Sequence, residues 1–387
     1  MSRRNFLKLI GGAALAPVAA SFGLGTARAA APLKVGVMIP LSGPAGLFGP
    51  SSRDCATLAI EEVNAAGGVL GREIEPLFVD VGGPPADAVQ AAQKLWRSEG
   101  AEVFIGMHDS AVRAALVGVF HGKVPYIYTP VYEGGECAKG TYVLGETPAQ
   151  QLLPVVPWIA KEKAIDKWYL IGNDYNWPRA TNAAAKDYIK AANGAVVGEE
   201  YLPFTVDNFD SNLARIQSSG ANGVLITLVG GASVGFNRAF ASFGLAGKAA
   251  RLGTLIEENT LAGIGAENSA NLYSSAGYFR TIGTEPAMAF AAAYAKRFGD
   301  KAAALKTLGQ SCYEGVKFLQ ALAAKAGSLN AEAMDAAAEG VSYSGPRGKV
   351  TMSKRHVTRD IYLASAKGAE FEVVQTFKNV ASGSTCA

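Results

Sequence analysis

One pattern restricts the fold of this chain more than any other. Short apolar runs stopped by glycine or proline alternate with longer stretches of helical spacing, and the whole rhythm restarts after residue 150. The first run, Leu33 to Ile39, ends at Pro40, and a Gly/Pro/Ser loop, Leu41 to Pro50, follows it. Ser51 to Ala66 then reads as a helix stopped by Gly67-Gly68. Strand Ile74–Val79, helix Pro85–Ser98, strand Val103–Gly106, helix Ala111–Phe120 and strand Pro125–Tyr128 continue the series. Strands separated by amphipathic helices cannot pair as hairpins, so the pattern predicts a parallel sheet with helical crossovers.

The second series begins with helix Gln151–Lys163 and strand Lys167–Gly172. Helix Thr181–Asn193 leads to strand Ala195–Tyr201, and helix Asp210–Ser218 to strand Gly223–Leu228. Helix Gly235–Phe243 then leads to strand Ala250–Leu255. Two long helical stretches, Pro286–Phe298 and Leu305–Ala326, precede a region from Lys349 to Phe377 that alternates like short antiparallel strands. One continuous sheet would need more parallel strands than such sheets usually carry. The expected fold class is therefore α/β with two doubly wound parallel-sheet lobes. With 49% hydrophobic residues in 387, the chain also has more apolar material than one core usually organises.

Residues 1–29 read as an address. Arg3-Arg4-Asn5-Phe6-Leu7-Lys8, a short apolar run broken by glycines and a proline, and Ala27-Arg28-Ala29 together make an export signal of twin-arginine type, cleaved near Ala29. That segment holds Arg3, Arg4, Lys8 and Arg28 and no acid, so the formal +3 of the whole chain becomes −1 without it. A near-neutral mature chain lacks the electrostatic footprint of a nucleic-acid binder. No later stretch is apolar for long enough to span a bilayer. Cys55, Cys137, Cys312 and Cys386 are permitted disulfides by export, but their spacing forces none, and at least one pair is expected as free thiols.

Catalytic constellations come up short. His108-Asp109-Ser110 holds triad residue types, but consecutive side chains diverge and cannot form a relay. His108, His121 and His356 make no short-spaced metal pair, and no nucleophile elbow, Walker loop or zincin motif is present. Gly230-Gly231-x-x-x-Gly235 lacks the lysine of a phosphate cradle and reads as a tight βα turn. The chain is expected to be no enzyme and to use no cofactor or metal.

Polar and aromatic residues gather instead at the carboxyl ends of the expected strands, where open α/β sheets bind ligands. After Ile105 come His108, Asp109 and Ser110, with Ser110 placed at a helix N-cap. After Ile127 come Tyr128, Thr129 and Tyr132. In the second half the strand ends offer Tyr175 and Trp177, then Thr227, then Glu257 and Glu258. Hydroxyls, aromatic faces and free N–H groups at helix starts can fix a small polar solute. Any one of these residues has a plainer reading, as a cap or a packing side chain. It is the coincidence in both halves that marks a cleft.

Ile39-Pro40-Leu41-Ser42-Gly43-Pro44, Glu61-Glu62-Val63-Asn64-Ala65-Ala66-Gly67-Gly68, Tyr132-Glu133-Gly134 and Asp174-Tyr175-x-x-Pro178-Arg179-x-x-Asn182 carry a resemblance. Val197 to Pro203 and Gly345-Pro346-x-Gly348 complete it. The chain resembles the type I periplasmic binding proteins of ABC transporters, in the leucine/isoleucine/valine-binding family, and within it the urea- and amide-binding branch. The resemblance implies two lobes joined by a three-segment hinge, with crossings near Thr147, Tyr278 and Gly345. The first lobe would take residues 30–147 and 279–344, the second 148–278 and 345–387. It implies a monomer that captures a small solute in the periplasm by hinge closure and delivers it to a permease and its ATPase. A periplasmic sensor working with a membrane receptor is the alternative.

Carried over, Ser110 and Tyr128 fall on first-lobe ligand contacts and Tyr175 on a second-lobe contact. A urea- or amide-like ligand leads, an amino acid is second and an aromatic acid third. At His108 and Asp109 the sequence leaves the branch's apolar pattern. If both face the cleft, the ligand should carry a hydrogen-bond donor or a positive charge, because a buried carboxylate is costly unless paired. Otherwise Asp109 caps the next helix and His108 points to solvent.

Overall fold

The computed structural model describes residues 30–386, so the export-signal reading lies outside the described residues. The first lobe is laid down as β1 (Leu33–Ile39), α1 (Gly49–Ala65), β2 (Ile74–Asp80), α2 (Pro85–Arg97), β3 (Val103–Gly106), α3 (Ser110–Phe120), β4 (Tyr126–Tyr128) and β5 (Thr141–Val143). These five strands form one sheet in the order β2-β1-β3-β4-β5, parallel throughout. The inner strands β1, β3 and β4 are almost wholly apolar because helices cover both faces, as a parallel sheet requires.

The second lobe follows as α4 (Pro148–Gln151), α5 (Val155–Lys163), β6 (Lys167–Asn173), α6 (Asn176–Ala191), β7 (Ala195–Leu202), α7 (Asp210–Ser219), β8 (Gly223–Thr227), α8 (Gly230–Ser242), β9 (Ala250–Gly253), α9 (Glu258–Ile264) and β10 (Leu272–Ala276). The chain then returns through α10 (Glu285–Phe298), α11 (Thr307–Ala326), α12 (Ala331–Ala337) and β11 (Ser342–Gly345). It ends in β12 (Gly348–Ser353), β13 (His356–Lys367) and β14 (Glu370–Val380). The second sheet runs β11-β12-β13-β10-β9-β8-β6-β7, with β14 on β13. Strands β6 to β10 are parallel, and β11 to β14 are antiparallel.

Helix α11 belongs to the first lobe by packing, lying along α1 and across β3 and β4. Gly309 makes this approach possible: a Cβ there would stand 2.6 Å from Ser51 Oγ and 3.0 Å from the Ser51 carbonyl. No described helix is long and apolar enough to cross a membrane.

Several expectations need correction. The helix read as Gln151–Lys163 is two pieces, because Pro154 cannot donate an N–H and the chain breaks before it. The helix read from Gly235 starts five residues earlier, at Gly230, and the helix read from Thr181 starts five residues earlier, at Asn176. Strands β5, β10 and β11 and helices α9 and α12 were not foreseen. The cysteines divide as one bonded and one free pair: Cys137 and Cys386 form a disulfide, while Cys55 and Cys312 are free and buried.

A buried ion cluster ties the segment between β5 and α4 to the turn between β11 and β12. Glu146, between β5 and α4, accepts from Arg347, between β11 and β12, and from Arg359 of β13, each at 2.7 Å. Arg347 also pairs with Glu314 of α11, which accepts from Tyr343 at 2.8 Å. Gly277, just after β10, lets this cluster close, since a Cβ there would lie 2.2 Å from Glu146 Oε1. Burial opposes the charge on Glu146, but Arg359 and Arg347 outweigh it and hold its pKa below the ordinary value.

Candidate functional site

The carboxyl ends of both parallel sheets face each other across a cavity of about 40 Å³. From the first lobe come Pro40, Ala45 and Phe48 of the loop after β1, then Met107 to Ser110 after β3 and Pro130 and Val131 after β4. The second lobe supplies Tyr175 and Trp177 after β6, Val229 after β8 and Leu255 after β9, while Leu308 adds the start of α11. The walls are thus aromatic and aliphatic, and Asp109 is the one charged carboxylate among them.

Asp109, not Ser110, is the N-cap of α3. Its Oδ1 accepts from Ala111 N at 2.8 Å and from Val112 N at 2.9 Å. These two bonds, at the start of the helix, use Oδ1 and leave Oδ2 without a hydrogen-bond partner among the described residues. Capping and facing the cavity are therefore one role shared between two oxygens.

His108 does not point to solvent. It is 4% exposed and folds back on Tyr126, whose hydroxyl lies 2.9 Å from Nε2. Nδ1 stands 3.1 Å from the Asp109 carbonyl, which can only accept, so Nδ1 carries the proton and Nε2 accepts from Tyr126. Burial drives its pKa down to about 4, which keeps the ring neutral.

Ser110 lines the cavity but donates its hydroxyl to Glu133 Oε2 at 2.5 Å. Tyr175, half-buried, caps α6 with extended backbone and packs its ring 5.1 Å from Phe204 and 6.2 Å from Trp177. Burial raises the Tyr175 pKa well above the ordinary phenol value, as do Asp109, Tyr128 and Glu133 nearby, so its hydroxyl stays a donor. Trp177 is buried and its indole N–H has no protein partner.

The remaining sequence candidates stand behind the walls. Tyr128 donates to the His108 carbonyl at 2.7 Å, supporting that loop from below. Thr129 turns to the Gly106 carbonyl at 3.3 Å. Tyr132 bonds His356 and lies under the Arg113 guanidinium. Thr227 donates within the second lobe, to Asn182 at 3.1 Å. Glu257 accepts from Leu308 N at 2.7 Å and pairs with Lys306 at 3.4 Å, behind Leu308. Glu258 accepts from Arg280 N at 2.6 Å, and burial lifts its pKa to about 7. The cavity thus gathers His108, Asp109, Ser110, Tyr175 and Trp177.

Sequence reading missed Phe48, Val229, Leu255 and Leu308, which are apolar and look like any core residue. It also missed Glu133, although the residue sat inside a quoted motif. No cluster of three or more His, Cys, Asp or Glu able to hold a metal occurs among the described residues.

The cavity mouth is bridged between lobes. Asn259 Nδ2 donates to the Leu47 carbonyl at 2.9 Å, and Asn176 Nδ2 to Glu133 Oε1 at 3.2 Å. A solute inside would be enclosed on both sides. The sequence matches the family model described as periplasmic binding protein over residues 32–370. The chain belongs to the periplasmic binding protein family.

Members of this family resembling the chain include Leu/Ile/Val-binding protein homolog 6 of Brucella melitensis biotype 1. It is 27% identical over 352 residues, covering 87% of this chain and 88% of the relative. A solved solute-binding protein of an ABC transporter from R. palustris, in complex with benzoate, superposes with TM-score 0.81 at 21% identity, over 92% of this chain and 99% of that one. A branched-chain amino acid transporter substrate-binding protein from Streptococcus pneumoniae, in complex with isoleucine, gives TM-score 0.79 at 19% identity, over 90% and 99% of the two chains. These periplasmic binding proteins carry solutes and are not enzymes; the same holds for this one.

Proposed function

We propose that this periplasmic binding protein is exported through its paired-arginine signal, acts as a monomer and hands its solute to an ABC permease and ATPase. Its ligand is a small molecule with an apolar, planar or branched body and a head that is cationic or rich in N–H donors. The observation carrying this reading is the single charge in an otherwise apolar and aromatic cavity, the Asp109 carboxylate with one oxygen uncommitted. A cation or amide head placed there would pair with that carboxylate, and Phe48, Tyr175 and Trp177 would cover the body.

The ligand reading separates from the amide and urea branch by size. Urea or acetamide would leave unfilled the neighbouring cavity of about 340 Å³, which shares Pro40, Ala45, Asp109, Tyr175 and Val229 with this one. It separates from the R. palustris relative by charge, since benzoate would bring a second anion to Asp109. Calorimetric titration with benzamidine, leucinamide, isoleucine, benzoate, urea and acetamide tests this directly. Benzamidine or leucinamide should bind at least about 10-fold tighter than benzoate and urea. Tight binding of urea, or of benzoate over benzamidine, would overturn the ligand class.

A further inference from the structure

Glu133 lies on the β4–β5 connection of the first lobe, one residue outside every feature that the ligand reading uses. Its side chain is 12% exposed, and three donors from two lobes converge on it. Ser110 Oγ donates to Oε2 at 2.5 Å, while Arg113 Nη2 and Asn176 Nδ2 donate to Oε1 at 2.9 and 3.2 Å. Ser110 and Arg113 belong to α3 of the first lobe, and Asn176 opens α6 of the second. Asn176 is also the residue between Tyr175 and Trp177, the two aromatic walls that the second lobe brings to the cavity. Closing the cleft and making this bond are geometrically one event.

The segment that presents Glu133 is poorly suited to hold itself still. Gly134 and Gly135 follow it at φ 91° and 82°, a backbone only glycine adopts cheaply, and their Cβ positions meet nothing within 4 Å. Two anchors restrain it. Arg113, seated over the Tyr132 ring at 4.7 Å, bonds Glu136 at 3.3 Å as well as Glu133. The second anchor is covalent: Cys137 is joined to Cys386, which lies beyond β14 of the second sheet. Nearby, Thr147 Oγ1 donates to the Ser382 carbonyl at 2.7 Å, fixing the returning tail to the first crossing. The disulfide therefore links the lobes a fourth time, beside the three chain crossings.

The geometry points to Glu133 as a closure latch, a positioning residue that joins Ser110 of one lobe to Asn176 of the other and is held in place by the Cys137–Cys386 strap. This rests on the reading that the cleft captures a solute by closing. It adds that retention, not encounter, is set by a group that never touches the solute. The latch bond exists only when the lobes meet, so its loss should speed ligand escape without slowing entry.

The experiment compares wild type, Asn176→Ala and the double variant Cys137→Ser/Cys386→Ser as purified full-length mature proteins. Stopped-flow tryptophan fluorescence with benzamidine reads the two rate constants, and small-angle scattering without any solute reads how far the lobes stand apart. Asn176 is exposed, so its replacement should leave the urea unfolding midpoint unchanged. Dissociation should become about 5- to 10-fold faster in Asn176→Ala, with the association rate kept. The cysteine variant should share that change and show a larger radius of gyration. Equal dissociation rates and equal scattering in all three proteins would overturn the latch. If benzamidine binds none of them, the ligand reading falls, and scattering alone decides the latch: a larger radius in both variants sustains it, and equal radii reject it.

Discussion

At the scale of single residues, the carboxylate of Asp109 divides its labour between its oxygens. Asn caps helices about as well as Asp, so Asp109→Asn should keep α3 intact while removing the charge. Affinity for benzamidine should fall at least about 10-fold in calorimetry, with the urea midpoint nearly unmoved. An unchanged affinity would put the cation elsewhere. His108 makes a separate, pH-readable prediction. Its folded pKa of about 4 lies below the ordinary 6.5, so the unfolded chain takes up the proton first as pH falls. Stability is then full above about pH 6.5 and is lost between 6.5 and 4, by up to about 3 kcal/mol. His356, also depressed by burial, adds in the same direction. His108→Gln should flatten part of that loss in urea unfolding followed across pH. An identical pH profile for the variant would mean that the ring is hydrated in the folded protein.

At the scale of elements, Gly230 shows how a turn can belong to two lobes at once. It opens α8 at φ 56°, and a Cβ there would stand 2.1 Å from the Pro44 carbonyl of the other lobe. Gly230→Ala should cost about 1–2 kcal/mol in backbone strain and weaken benzamidine binding further by holding the mouth open. Gly231→Ala, whose Cβ meets nothing within 4 Å, should bind normally and serves as the control. Equal binding by both variants would mean that Pro44 yields. The sequence betrayed the turn but not its second neighbour, because a glycine needed for close approach looks like one needed for φ. The same logic sorts the rest. Strands and helices with strong periodicity, from Leu33–Ile39 to the long helix ending at Ala326, were legible. Strand β5, three residues without flanking alternation, was not. Of the cavity, the polar strand ends were legible, since chemistry marks them. Phe48, Leu255 and Leu308 were not, because a wall residue and a core residue have the same composition. Tyr128 and Thr227 had the right position, yet their hydroxyls turned inward to backbone and side-chain acceptors.

At the scale of the whole molecule, the hinge is an electrostatic knot. Glu146 is shared by Arg347 and Arg359, and all three side chains are 2% exposed or less. Removing the shared acid leaves two buried cations with fewer partners, so Glu146→Ala should lower unfolding stability by about 3–5 kcal/mol in urea titration. A loss below about 1 kcal/mol would show that water reaches the arginines in the folded state. The cluster joins the β5–α4 connection to the β11–β12 turn and presses on Gly277, so any motion between the two sheets must carry these charges as one body.

The strap between Cys137 and Cys386 also sets an order on biosynthesis. Its two sulfurs are 249 residues apart, and the whole second lobe is made between them. Their pairing can follow only after β14 has been synthesised and has found its place on β13. Cys55 and Cys312 are rival thiols, but burial under α1 and α11 raises the pKa of both and keeps them inert once those helices pack. Mispairing is confined to chains whose first lobe has not yet assembled. The oxidised fraction, read as a mobility shift after alkylation, thus reports chains that are complete through Cys386 and have reached an oxidising compartment.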